Sequence, residues 1–173
     1  MKRTTSIENI FRPLAEQSVQ SALSNEVQIA DILEWVLEQV GPSEVWQTSF
    51  SISEEFLRRL FFIEQDGRVS QFNLVLDFKA TQKTLRLWPF ICQTMEHVYL
   101  ADNHSKVLLV QAESGAVATV LTSQNLTRGN RTESALVTTD PDIFNTLQKE
   151  MQYIIRNKSV PLHGLLEQRI QSQ

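Results

Sequence analysis

The chain has 173 residues and 42% hydrophobic content, the size of a single domain with a substantial core. A formal net charge of -4 and a pI near 5.4 exclude a protein that coats nucleic acid by bulk electrostatics, so any anionic ligand needs a local basic patch. Cys92 is the sole cysteine, which excludes an intrachain disulfide framework and a thiolate zinc site and fits a reducing cytoplasm.

Residues 1–25 are mixed and polar, with Ile7, Ile10, Phe11 and Leu14 at helical spacing and Pro13 interrupting them, and read as a short docking arm. Ile29, Ile32, Leu33, Val36, Leu37 and Val40 form one apolar face of an amphipathic helix that Gly41-Pro42 stops. A strand over 45–52 follows, then a helix with Ser53 as N-cap and Glu54 and Glu55 in its first turn, where the helix dipole favours acids. Residues 72–78 carry the buried-type run Leu74-Val75-Leu76, and 81–95 read as a helix strained or broken by Pro89. From His97 to Val137 strand signals crowd together, at 98–100, 106–110, 116–121 and 134–137. Asp140 caps a last helix with Pro141 in its first turn and Ile143, Phe144, Leu147, Met151, Ile154 and Ile155 along one face. The expected organisation is an N-terminal arm at 1–25, a domain at 26–158 and a C-terminal tail at 159–173, with no internal repeat. Met1-Lys2-Arg3 is not followed by a signal-like apolar run, and no stretch approaches the roughly 18 apolar residues of a membrane span, so the expectation is a cytoplasmic chain without a membrane partner.

Strands alternating with helices in the first half, then strands in direct succession, predict an α/β fold: a mixed, largely parallel central sheet flanked by helices on both faces. Within it one stretch carries chemistry. His104 and Lys106 are two apart at the start of a strand and project to the same side. Ser123 and Asn125 share a parity at the end of the following strand, and Glu133 opens the next. A nucleophile, a cation, two neutral hydrogen-bonding groups and a carboxylate thus come from adjacent strand ends, which suits attack on a phosphodiester without a metal or other cofactor.

These residues resemble the phospholipase D superfamily, whose signature is H-x-K, then Asp after four intervening residues, then G-S-x-N, then an acidic residue. His104 and Lys106 match the first part, Ser123 and Asn125 the second, and Glu133 the third, within a similarity spanning about residues 26–156. Gln111 stands where the motif has Asp, and Thr122 where it has Gly. Glutamine keeps hydrogen bonds without the charge, and threonine adds a side chain where glycine allows close backbone approach. The resemblance implies the phospholipase D-like fold over 26–158 and a two-step displacement: His104 attacks phosphorus to give a phosphohistidine, and a second histidine protonates the leaving oxygen and later activates water. It implies that Lys106 and Asn125 hold the non-bridging oxygens, that Ser123 supports them, and that Glu133 fixes the imidazole tautomer. His97 and His163 have no lysine two residues on, so one chain carries one motif and the second histidine comes from another copy in a homodimer.

The single-motif endonuclease-like branch is the nearest pattern, which makes DNA or RNA the expected partner and a metal-independent nuclease the expected activity. Two alternatives stand beside it: a catalytically impaired module that binds nucleic acid or dimerises, and a phosphodiesterase directed at phospholipids, for which no basic amphipathic helix is visible. Arg128 and Arg131 lie between Asn125 and Glu133 and suit phosphates flanking the scissile one. Lys79, Lys83 and Arg86 form a second basic cluster that reads as a solvated helix face. His97 reads as an edge-strand polar residue and His163 as a surface residue. Trp35, Trp46 and Trp88 read as core or interface, and Cys92 as a small buried side chain.

Overall fold

The computed structural model describes residues 6–80, 86, 87, 90, 91, 95–127 and 129–164. Among them the strands are β1 (Val19–Ser24), β2 (Ser43–Ser49), β3 (Val69–Asp77), β4 (His97–Ala101), β5 (Val107–Ala112), β6 (Val117–Thr122), β7 (Glu133–Thr138) and β8 (Ser159–Pro161). They form one eight-stranded sheet in the order β1-β7-β6-β5-β2-β3-β4-β8. Three longer α-helices lie among the described residues: α1 (Ile29–Val40), α2 (Glu54–Gln65) and α3 (Pro141–Lys158). The α/β class, the mixed sheet and its helices on both faces are as the sequence predicts. The balance of pairing differs: β2, β3 and β4 are parallel neighbours, and the remaining ladders are antiparallel. A parallel pair needs a crossover, which α2 supplies between β2 and β3, whereas β5, β6 and β7 follow one another without a helix and pair antiparallel.

Alternation along the strands sends successive side chains to opposite faces. Leu74, Leu76, Leu108, Val110 and Val120 meet α1 and α2 through residues such as Ile32, Leu33, Leu57 and Leu60, all essentially buried. Trp46, Val75 and Leu109 meet Phe144 and Met151 of α3 on the other face. Each such side chain contributes roughly 1.5–3 kcal/mol by leaving water.

The helix ends follow the expected chemistry. Gln28 and Asp31 form a reciprocal capping box on α1, and Gly41 ends that helix at a φ of 85°, a conformation that costs glycine little. The Ser53 hydroxyl accepts the Phe56 N–H at 3.3 Å, and Asp140 Oδ1 accepts the N–H groups of Asp142 and Ile143 at 2.8 and 3.2 Å. Arg59 of α2 ties the two helices of one face together, donating to Glu34 at 2.9 and 2.7 Å and to Asp31 at 2.6 Å. These carboxylates, Glu34 foremost, make the guanidinium hold its proton more tightly than usual.

The sheet extends into the segments read as arm and tail. β1 pairs along β7 from Val19↔Thr138 to Ser24↔Glu133, and Phe11 and Leu14 are buried against the core. The Gln20 side chain locks that stretch, accepting the Arg12 N–H at 2.7 Å and donating to the Arg12 carbonyl at 2.8 Å. β8 pairs with β4 at Tyr99↔Pro161 to Ala101↔Ser159. Most of the helix expected over 81–95, with Lys83, Trp88, Pro89 and Cys92, lies outside the described residues. No helix among the described residues is long and apolar enough to cross a membrane.

Candidate active site

The registers put the C-terminal ends of β2, β3, β4 and β6 and the N-terminal ends of β5 and β7 along one rim of the sheet. Crevices outside the carboxyl ends of parallel strands are where α/β folds bind ligands. His104 and Lys106 lie there in an extended segment just before β5, slightly ahead of the strand start that the sequence suggests. His104 is exposed and Lys106 half-buried. The Lys106 ammonium donates to the His104 carbonyl oxygen at 2.7 Å and lies 3.3 Å from His104 Nδ1. An ammonium only donates, so Nδ1 is the acceptor and the neutral ring carries its proton on Nε2.

Asn125 reaches the same rim from the loop after β6. Its Oδ1 accepts the backbone N–H of Phe50 at 3.1 Å, while its Nδ2 makes no hydrogen bond among the described residues. Phe50 follows β2, and its ring sits 5.5 Å from the His104 ring, centroid to centroid, tilted by 59°. The two loops are zipped together beyond this contact: Ser53 N–H donates to the Leu126 carbonyl at 2.8 Å, and Leu126 N–H donates to Ser49 Oγ at 3.0 Å.

Ser123 and Glu133 meet each other instead of the imidazole. The Ser123 hydroxyl donates to Glu133 Oε2 and accepts the Ser134 N–H at 3.0 Å. Glu133 therefore does not contact its own chain's His104 as the sequence reading has it, and the single Ser123 proton is already engaged. The reason is register: Thr122 pairs with Ala135, so Ser123 lies across from the start of β7. Thr122, in the position of the motif glycine, uses its side chain to close this turn, donating to the Ser134 carbonyl at 2.6 Å and accepting the Gln124 N–H at 3.1 Å. Gln111 lies at the far end of β5 from His104, where its Oε1 accepts from Gln148 of α3 at 3.3 Å. Its charge is lost at a strand-to-helix tie and not at the rim.

Arg131 is exposed, and Arg128 lies outside the described residues. His97 stands at the opposite end of β4 from the rim, paired with Asn73 of β3 on one side and beyond the stretch of β4 that β8 covers on the other. His163 Nε2 is 3.0 Å from the Met95 carbonyl. Trp35 and Trp46 are buried in the core. The rim of one chain thus offers one histidine among the described residues. Among the described residues no three of His, Cys, Asp and Glu cluster as metal ligands would.

The residues that sequence reasoning missed form the floor. Thr48 Oγ1 accepts the Val107 N–H at 3.0 Å and lies 2.8 Å from Ser105 Oγ, whose hydroxyl donates to Asn103 Oδ1 at 2.6 Å. Buried Asn103 donates from its backbone to Asp77 Oδ2 at 2.9 Å and from Nδ2 to the Ser49 carbonyl at 3.4 Å. The end of β2 is thereby joined to both halves of the motif. The visible signal is the hydroxyl-rich Thr48-Ser49-Phe50-Ser51 after an apolar strand.

No protein-family model matches the sequence, and no curated protein matches it significantly. Its fold does match. Nuc from Salmonella typhimurium, a phospholipase D family member, aligns over 82% of this chain and 95% of its own at 16% identity, with a TM-score of 0.61. NucT from Helicobacter pylori aligns over 81% of this chain and 98% of its own at 14% identity, with a TM-score of 0.59. The chain has the phospholipase D fold. The same phospholipase D fold relates it to the phosphatidylserine synthase of Haemophilus influenzae, at 14% identity and a TM-score of 0.57, over 83% of this chain and 40% of that one.

Proposed function

We propose that this chain is a metal-independent phosphodiesterase that cuts DNA or RNA through His104, in a site shared by two copies of the chain. The observation that carries the reading is the convergence of His104, Lys106 and Asn125 around Phe50 at one sheet rim. In this mechanism Lys106 leaves the imidazole and, with Asn125 Nδ2, holds the non-bridging oxygens of the scissile phosphate. An imidazole nitrogen of His104 attacks phosphorus in line, the bond to the leaving oxygen breaks, and the histidine of the facing copy gives that oxygen its proton. The same histidine then takes a proton from water, which displaces His104 from phosphorus and releases the phosphomonoester. One histidine per rim is the reason for two copies, and a two-fold axis presents identical rims to each other. Arg131, with Arg128 near it in sequence, supplies charge for phosphates beside the scissile one, which favours a polyanion over a single lipid headgroup. The acidic composition fits a restricted substrate more than a high nonspecific affinity.

The second reading is a module that binds nucleic acid without cutting it. It is favoured by the state of the rim, where Lys106 is on its own His104 and the Ser123 proton is on Glu133. Both readings are decided by incubating purified chain with EDTA and a bis-aryl phosphodiester, single-stranded and duplex DNA, RNA, and phosphatidylcholine vesicles. The proposal expects cleavage of a nucleic acid and of the aryl diester by the wild type and none by His104→Ala. Equal inertness of the two proteins, with both retarding DNA on a gel, gives the binding module; cleavage confined to the vesicles gives a lipid enzyme.

A further inference from the structure

We infer that Phe50 is a positioning residue for the His104 imidazole, set in place by Asn125 Oδ1, so that one asparagine side chain links the wall beside the nucleophile to the substrate phosphate. The inference rests on the proposed role of His104 and extends it to a residue outside the H-x-K and S-x-N pattern. Phe50 is half-buried and belongs to neither apolar cluster of the core, so core packing does not demand an aromatic there. Its ring instead lies 5.5 Å from that of His104 at a 59° tilt, within the range where aromatic pairs attract.

The frame behind both rings is buried and hydrogen-bonded. Phe50 follows Ser49, which is fully buried, and its N–H is fixed by Asn125 Oδ1 at 3.1 Å. His104 follows Asn103, also buried, whose Nδ2 donates to the Ser49 carbonyl at 3.4 Å. The two residues are thus held from neighbouring backbone positions, and a ring wall between them limits how an exposed imidazole turns. In-line attack needs the reacting lone pair aimed at phosphorus, and misaimed rings waste encounters. Asparagine suits the linking position because Oδ1 accepts from the Phe50 backbone while Nδ2 remains a donor for an anion. Aspartate at 125 keeps the first interaction and loses the second; alanine loses both.

The test uses the full chain in two readouts. By NMR with labelled histidine, the wild type, Phe50→Tyr and Asn125→Asp are expected to show contacts between the residue 50 ring and the His104 ring protons, Phe50→Leu to lose the ring-current shift on those protons, and Asn125→Ala to weaken it. In hydrolysis of a bis-aryl phosphodiester, Phe50→Leu is expected to lower kcat about tenfold to a hundredfold with KM little changed, and Phe50→Tyr to restore it. Asn125→Asp is expected to raise KM. Wild-type kcat in Phe50→Leu, or absence of the ring contact in the wild type, overturns the inference. If the wild type hydrolyses nothing, the catalytic proposal fails by itself, and the NMR contrasts still decide whether Phe50 and Asn125 orient the ring. Should Phe50→Leu not fold, the ring-current shift on the His104 protons in Asn125→Ala reads the same linkage: a wild-type shift there overturns the inference.

Discussion

The ammonium of Lys106 lies 3.3 Å from Nδ1 of His104 and 2.7 Å from the carbonyl oxygen of the same residue. This pairing keeps the Nδ1 lone pair occupied and the other nitrogen protonated, so neither nitrogen of a neutral ring is ready to attack. A phosphate that draws Lys106 away releases Nδ1. Inorganic phosphate added to the wild type is therefore expected to shift the His104 Nδ1 resonance, and Lys106→Met to remove that response. Because hydrogen bonds to charged groups contribute about 1.5–3 kcal/mol, the same variant should lose roughly tenfold to a hundredfold in kcat/KM. A Lys106→Met protein with wild-type kcat/KM would exclude this residue as a phosphate ligand.

Ser123 and Glu133 form a unit at the mouth of the β6–β7 turn. Ser123 is exposed and Glu133 half-buried, so the pair is partly screened and its coupling should be about 1 kcal/mol. Thermal or denaturant unfolding of Ser123→Ala, Glu133→Gln and the double variant measures it. Strictly additive losses would mean that the two side chains stabilise the turn independently.

A shared site predicts a particular response to mixing. If each productive site needs His104 from both copies, random pairing of wild-type chains with an equal amount of His104→Ala chains leaves about a quarter of the dimers fully equipped. Activity should then fall with the square of the wild-type fraction after unfolding and refolding the mixture. A linear fall, or a monomer by light scattering at micromolar concentration, is the result that sinks the two-copy mechanism.

The elements that could be read from sequence are those whose local signals agree with their tertiary role. α1 has an uninterrupted apolar face and a Gly-Pro stop, and α3 has an Asp cap followed by proline, so both were legible to within a residue or two. β1 was not, because Val19–Ser24 buries chiefly Gln20 and leaves Val19 and Leu23 facing solvent, and its place on β7 is decided by pairing across more than a hundred residues of chain. The same limit applied at the site. Motif spacing located His104, Lys106 and Asn125, since strand ends on one rim follow from topology. It could not show that Glu133 takes Ser123, because that depends on which residue of β6 faces which of β7. Nor could it find Phe50 or Asn103, whose roles arise from loops that touch only after the sheet has formed.

The acid–base behaviour of α2 gives a prediction independent of catalysis. Burial pushes the Glu64 carboxyl up from 4.5 to about 7, because loss of solvent disfavours its charged form. Between those two values the folded chain holds a proton that the unfolded chain has released, so unfolding loses protons and stability declines as pH rises through this window. The contribution is complete below 4.5 and gone above about 7. Solvent still reaches part of the side chain, so the effect should be about 1 kcal/mol, well below what the full shift implies. Glu64→Gln cannot ionise and should unfold at a higher temperature than the wild type near pH 8, with the gap closing toward pH 4. Parallel melting curves for the two proteins across that range would show that the Glu64 carboxylate is solvated in the folded chain.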